Sequence, residues 1–363
     1  MINLYSDTQS LPTPAMREAM SRARVGDEQM GLDPTVNQLV EAVAAHLGKA
    51  AGLFLPSGTM ANAIALASHC QRGEAVITAS CSHILRFEAG GLAVITGAVP
   101  EVIEAEDGRF TADQVSQHHQ PGDRYTPKTT LVAVEQTCNK AGGTVWPVAQ
   151  LAEVAARARA LGLKTHMDGA RLFNAVVATG AQAREHCRDY DSVWVDFSKG
   201  LGAPFGAVLC GSEEFIARAW AWKHRLGGAM RQAGVMAAGC LHALEHHIDR
   251  LAEDHAHARL LNDGLKQLAG LKVRHDQAET NMVFFDLLDP GIPPERFLGR
   301  LEQRGLRIGH VGNGYRAVTY MDVTAGQVRE ALAILGEVLD ELGAGPLGPA
   351  PGSGNTAGTP REG

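Results

Sequence analysis

The chain has 363 residues, room for roughly two domains, and its 33 basic and 40 acidic residues give a net charge of −7. That balance argues against a nucleic-acid protein, which carries a clearly basic face. With 45% hydrophobic and 20% charged residues it can bury a large core. No apolar run reaches the roughly 18 residues of a membrane span. Met1 leads into Asn3 and Asp7 without the basic and apolar stretches of a secretory signal, so a cytoplasmic protein is expected.

In chain order, residues 35–47 read as an amphipathic helix with Val36, Leu39, Val40, Val43 and Leu47 on one side. An apolar run at 51–55, a turn at Pro56-Ser57-Gly58 and a helical stretch to His69 follow. Short runs at 74–78, 92–96, 130–134, 164–167, 192–195 and 206–209 read as strands, with helical segments such as 147–161 between several of them. Strands joined by crossovers predict an α/β fold whose parallel or mixed sheet is covered on both faces, with its chemistry beyond the strands' carboxyl ends. A long helical stretch at 230–268 precedes a different alternation: strands at 271–275, 280–285 and 315–319, helices at 294–304 and 325–342. This predicts a large domain over 1–245 and a small α+β domain over 246–342. The Gly- and Pro-rich stretch 343–363 has too few apolar anchors to offset its ordering entropy and is expected to be a disordered tail.

Six cysteines, at 70, 81, 138, 187, 210 and 240, form no C-x-x-C pair and are expected to be reduced thiols. His242, His246, His247, His255 and His257 fall among acidic residues on a helical stretch. Their spacing is compatible with a metal, but a solvated face is the commoner outcome and no metal is expected. The same applies to His118 and His119 in a polar loop.

Three segments carry chemistry. At Ser57-Gly58-Thr59 a strand hands over to a helix start bearing two hydroxyls, which describes either a phosphate cradle or a simple N-cap. Asp168 follows a strand and precedes a glycine turn, at the sheet's carboxyl edge or as a helix cap. Lys199 stands between an apolar strand and Gly200-Leu201-Gly202-Ala203-Pro204, whereas the other lysines, Lys223 among them, lie where a solvated ammonium is natural. A partly buried lysine is an amine nucleophile toward an aldehyde. Together these pieces suit pyridoxal 5′-phosphate, which needs a Schiff-base lysine, a carboxylate at its pyridine nitrogen and a phosphate cup.

The chain resembles the low-specificity L-threonine aldolases, fold-type-I pyridoxal-phosphate enzymes of the β-eliminating lyase group. The resemblance runs through Leu4-Tyr5-Ser6-Asp7-Thr8, Ser57-Gly58-Thr59-Met60-Ala61-Asn62, Ser82-His83, Glu135-Gln136-Thr137, Met167-Asp168-Gly169-Ala170-Arg171 and Ser198-Lys199-Gly200 to Arg231 and Arg316, over nearly all of residues 2–340. It implies a mostly parallel seven-stranded sheet and cleavage of β-hydroxy-α-amino acids to glycine and an aldehyde. It makes Lys199 the Schiff-base residue, Asp168 the partner of the ring nitrogen, and His83 the histidine stacked on the ring and a candidate base. It assigns Ser6, Arg171 and Arg316 to the substrate carboxylate, and Arg231 to the phosphate of a neighbouring subunit. A homo-oligomer, a dimer of dimers, follows from that last role.

The chain departs from the family in two places: Met30 stands where a tyrosine is common, and Cys138 where a histidine lies near the substrate's β-hydroxyl. Cys138 is therefore expected to tune substrate preference. An aminotransferase or another β-eliminating lyase would share Asp168 and Lys199. A non-catalytic cofactor-binding module is a third reading, and an NAD dehydrogenase lacks its Gly-x-Gly-x-x-Gly.

Overall fold

The computed structural model describes residues 1–343. The tail expected at 343–363 lies outside them except for Gly343, whose left-handed backbone ends the last helix. Among the described residues no helix is long and apolar enough to cross a membrane.

Two sheets organise the chain, built from β1 (Ile2–Leu4), β2 (Ala51–Leu55), β3 (Ala75–Ala79), β4 (Val99–Ile103), β5 (Thr129–Glu135), β6 (Lys164–Gly169), β7 (Ser192–Asp196), β8 (Ala207–Gly211), β9 (Leu271–Val273), β10 (Met282–Leu287), β11 (Leu306–Val311) and β12 (Gly314–Val318). The larger sheet has seven strands in the order β2-β8-β7-β6-β5-β3-β4. Its ladders are parallel except at β8, which runs against both β2 and β7. β3, β7 and β8 are buried along their whole length, as expected of strands covered on both faces. The smaller sheet runs β1-β11-β12-β10-β9 and packs on Ala325–Leu342 and Leu251–Leu265, with Phe285, Phe297, Leu301 and Leu335 in its core.

The helix predicted at 35–47 spans Pro34–Leu47, with Asp33 capping its first N–H groups and Gly48 in the left-handed region ending it. Four expectations are corrected. Residues 92–96 form one π-helical turn, because their apolar run packs under the sheet edge instead of joining it. The stretch 230–268 is two helices, Gly234–His246 and Leu251–Leu265. The amino-terminal arm, assigned to the large domain, gives its strand to the smaller sheet, where β1 pairs in parallel with β11. Lys223 is fully buried and paired with Glu28, its charge compensated instead of solvated.

The histidine stretch is also not uniformly solvated. His247 Nδ1 donates to the Leu201 carbonyl at 2.7 Å. His255 accepts from Asn174 Nδ2 at 3.1 Å, and burial pushes its pKa down to about 4.

Candidate active site

Five strand ends converge on one edge of the larger sheet. β2 leads to Ser57, β3 to His83, β5 ends at Glu135, β6 carries Asp168, and β7 ends at Asp196 just before Lys199. They surround a cavity of about 410 Å³, whose walls include Ser57, Gly58, Thr59, His83, Asp168, Arg171 and Lys199. Lys199 Nζ lies 3.0 Å from Asp196 Oδ2 and 5.7 Å from the Trp194 ring centroid, with its side chain 15% exposed. The partial burial read from its neighbours in sequence is therefore present.

Ser57 caps the helix Gly58–His69, its Oγ accepting from Met60 N at 3.3 Å. The two readings of this segment are compatible: a capped helix start still offers hydroxyls and unpaired N–H groups at the positive end of its dipole. A Cβ on Gly58 would stand 2.2 Å from the Trp194 ring, so the cup closes against that ring only with glycine there.

Asp168 is held by a buried asparagine. Asn62 Nδ2 donates to Asp168 Oδ2 and to Glu88 Oε1, both at 2.7 Å, while Asn62 Oδ1 accepts from Trp194 Nε1 at 2.7 Å. Asp168 Oδ1 accepts from Ala170 N at 3.0 Å. His83 Nδ1 lies 2.9 Å from Glu88 Oε1. With Nδ1–H donating to that carboxylate, Nε2 carries the lone pair of a base. Burial alone would depress the His83 pKa, but the Glu88 hydrogen bond and the charges of Asp168 and Glu135 outweigh it and raise it. Glu135 is buried beside Asp168, which pushes its pKa up to about 7. Its Oε2 accepts from His83 N at 2.7 Å and its Oε1 from Asn139 N at 2.8 Å.

Arg171 lines the cavity but gives two of its donors to Asp7: Nε to Oδ2 at 2.7 Å and Nη2 to Oδ1 at 2.6 Å. Asn281 Nδ2 donates to the same carboxylate at 3.1 Å. Arg316 is not on the cavity wall. Its Nη1 donates to Asn139 Oδ1 at 2.8 Å and its Nη2 to the Tyr5 carbonyl at 3.1 Å, while Nε is buried without a partner. Burial and the nearby Arg171 charge depress its pKa.

Three other expected residues also stand off the wall. Ser6 is buried, its Oγ accepting from Thr8 N at 3.2 Å. Arg231 is mostly exposed, with Nη1 donating to Asp27 Oδ2 at 2.8 Å. Cys138 is corrected in position: it is 1% exposed, and its sulfur packs 3.3 Å from that of Cys81 instead of facing the cavity.

Sequence reasoning missed Asp7, Asn62, Glu135 and Asn139 as parts of this arrangement. Asn62 had a local signal, a lone amide in the apolar helix Ala61-Asn62-Ala63-Ile64-Ala65. Asp7 had none, because its partner is 164 residues away.

The donor set of the cavity fits pyridoxal 5′-phosphate: an amine at one side, a carboxylate fixed by Asn62, and a capped helix start with two hydroxyls. His83 Nδ1 and one carboxylate oxygen each of Glu88 and Asp168 lie within 4.8 Å of one another, a spacing a metal could bridge. The Asn62 amide and the imidazole already satisfy those oxygens.

A family model described as beta-eliminating lyase matches residues 3–287. The chain is 40% identical to the low-specificity L-threonine aldolase 1 of Arabidopsis thaliana, over 92% of this chain and 94% of that one. It is also 40% identical to the low specificity L-threonine aldolase of Escherichia coli (strain K12), over 92% and 98%. Among solved structures, the threonine aldolase of Leishmania major shares the fold with a TM-score of 0.80 at 18% identity, covering 93% of this chain and all of that one. A buried Asp168, a half-buried Lys199 and a hydroxyl-lined helix start around one cavity, on a chain matched over nearly its whole length, place it in the beta-eliminating lyase family of fold-type-I pyridoxal-phosphate enzymes, among the low-specificity L-threonine aldolases.

Proposed function

We propose that this chain cleaves L-threonine, L-allo-threonine and related β-hydroxy-α-amino acids to glycine and an aldehyde, with pyridoxal 5′-phosphate as cofactor. The observation that carries this reading is the shared cavity of Lys199, Asp168 and the Ser57–Thr59 segment. The cofactor, when bound, supplies an electron sink for the charge left at Cα when the Cα–Cβ bond breaks.

The remaining work falls to the chain. Lys199 offers the anchoring amine, with Asp196 Oδ2 3.0 Å from its Nζ. Asp168, held by Asn62 Nδ2, would pair with the cofactor's ring nitrogen. Ser57, Gly58 and Thr59 hold the phosphate. Arg171, Arg316 and Ser6 would orient the substrate carboxylate, where a guanidinium fork matches two oxygens. His83 Nε2, directly or through a water, takes the proton of the β-hydroxyl. Arg231 would contact the phosphate held by a neighbouring protomer, in a cytoplasmic homo-oligomer arranged as a dimer of dimers.

Incubation with L-threonine tests the reaction class. Glycine with acetaldehyde is the expected product pair, whereas ammonia or a keto acid would assign the chain to elimination or amino transfer. Lys199→Ala is expected to lose both turnover and the visible absorbance of the bound cofactor; retained turnover would overturn the assignment.

A further inference from the structure

Two thiols sit behind the active site. Cys81 follows β3, Cys138 follows β5, and their sulfurs are 3.3 Å apart. A disulfide bond is about 2.05 Å long, so closure asks for an approach of roughly 1 Å. The turn at residues 105–108 covers the pair. Cys81 Sγ donates to the Ala105 carbonyl at 3.5 Å, and a Cβ on Gly108 would stand 2.5 Å from Cys138 Sγ and 3.4 Å from Cys81 Sγ. Cys81 is the more accessible of the two, at 8% against 1% exposure.

The same two strand ends are braced a second time, by Glu135. It accepts from His83 N on the Cys81 side and from Asn139 N on the Cys138 side, and Asn139 Oδ1 in turn holds Arg316 Nη1. His83 is two residues beyond Cys81, and Asn139 directly follows Cys138. A covalent bond between the sulfurs therefore pulls on the segment that carries the candidate base and on Asn139, which holds the candidate carboxylate arginine.

We propose that Cys81 and Cys138 are a redox modification site, a thiol pair that a peroxide converts to a disulfide and whose closure displaces His83 and Arg316 and lowers turnover. The Cys81 thiolate attacks one oxygen of the peroxide; the O–O bond breaks and hydroxide leaves, taking up a proton as water. Cys138 then gives up its proton, and its sulfur attacks the sulfenic sulfur of Cys81, releasing the second oxygen as water. In sum, the two thiols lose two electrons and two protons, one S–S bond forms, and hydrogen peroxide becomes two waters. The order of attack agrees with the local electrostatics. The Cys138 S–H donating to Cys81 lowers the pKa of Cys81 and raises that of Cys138, whereas burial pushes Cys70 up to about 11 and Cys187 up to about 12.

The experiment treats the holoenzyme with hydrogen peroxide and follows intact mass, free thiols and cleavage of L-threonine. Expected are a mass loss of about 2 Da, a fall of two in the six free thiols, a peptide cross-linked through residues 81 and 138, and a several-fold loss of turnover restored by dithiothreitol. Cys81→Ser and Cys138→Ser each abolish the mass loss, and Cys187→Ser retains it; either active-side variant suffices if the other fails to fold. Mass gains of about 16 or 32 Da without the loss, or a cross-link between other cysteines, would overturn the site. A reversible 81–138 cross-link with unchanged turnover would overturn its effect on the active site. The activity arm rests on the proposed aldol cleavage. A chain that forms the cross-link but never cleaves threonine fails that reading and not the thiol pair.

Discussion

Asp7 and Arg171, 164 residues apart in sequence, form a two-point ion pair in which both oxygens of the carboxylate accept from one edge of the guanidinium. Both side chains are buried, at 1% and 5% exposure. The guanidinium holds the Asp7 carboxyl well below the usual carboxylate range, overcoming the opposing effect of burial. With Arg171 in its proposed role, Asp7 is a positioning residue that fixes the plane in which Arg171 would meet a substrate carboxylate. Removing one partner of a buried pair leaves an uncompensated charge and costs about 3 kcal/mol. Asp7→Asn is expected to lose about that much stability in urea unfolding and to raise the KM for threonine about tenfold, with a smaller change in kcat. An unchanged KM would remove Asp7 from the site.

With His83 as the proposed base, it is expected to set the acid limb of the activity profile. Its pKa is raised, chiefly through the Glu88 hydrogen bond against the opposing effect of burial, so the neutral base is lost earlier as pH falls. Glu88→Gln removes a charge that favours the imidazolium. The acid limb of kcat/KM is expected to move to lower pH by about one unit, equivalent to about 1.4 kcal/mol. A limb that stays in place would assign the proton transfer to another group.

Asp254 bears on stability. Burial pushes its pKa up to about 7 from 3.8 despite Arg250, and its Oδ2 has no partner. The folded state keeps a proton that the unfolded chain releases, so this contribution to stability is present below the unfolded pKa. It declines as pH rises toward about 7. Asp254→Asn is expected to flatten that decline, gaining on the parent by about 3 kcal/mol between about pH 5 and pH 8 in urea titrations. A constant difference across that range would show Asp254 to be ionised throughout.

Gly58→Ala tests the close approach of the cup to Trp194. A Cβ 2.2 Å from the ring forces the indole or the helix start to move. Overpacking of this kind costs about 1–3 kcal/mol. Cofactor affinity, read from quenching of tryptophan fluorescence on titration, is expected to fall at least several-fold. Undiminished affinity would mean that the cup tolerates the shift.

What could be read from the sequence was local. Ser57, Asp168 and Lys199 each stand where a strand ends, and the strand pattern brings such ends to one sheet edge, so a linear reading found the residues around the cavity. Parts whose cause is distant escaped it. β1 is three residues long and exists because β11, some 300 residues away, pairs with it. β4 carries Pro100 and Glu101 and an exposed face, so it lacks the apolar signature of the buried strands. The run 92–96 has that signature without the pairing. Cys138 was placed in the pocket by resemblance to a histidine; a smaller thiol packs inward on Cys81 because the turn at Gly108 closes over it.

The pairing of β1 with β11 has a consequence for how the enzyme is born. Residues 2–4 are made about 300 residues before their partners at 306–308. Asp7, attached to that arm, cannot be secured by the second sheet before then. A nascent chain therefore builds the scaffold of strands β2–β8 before β1 has its partner strand, and the arm that carries Asp7 docks late.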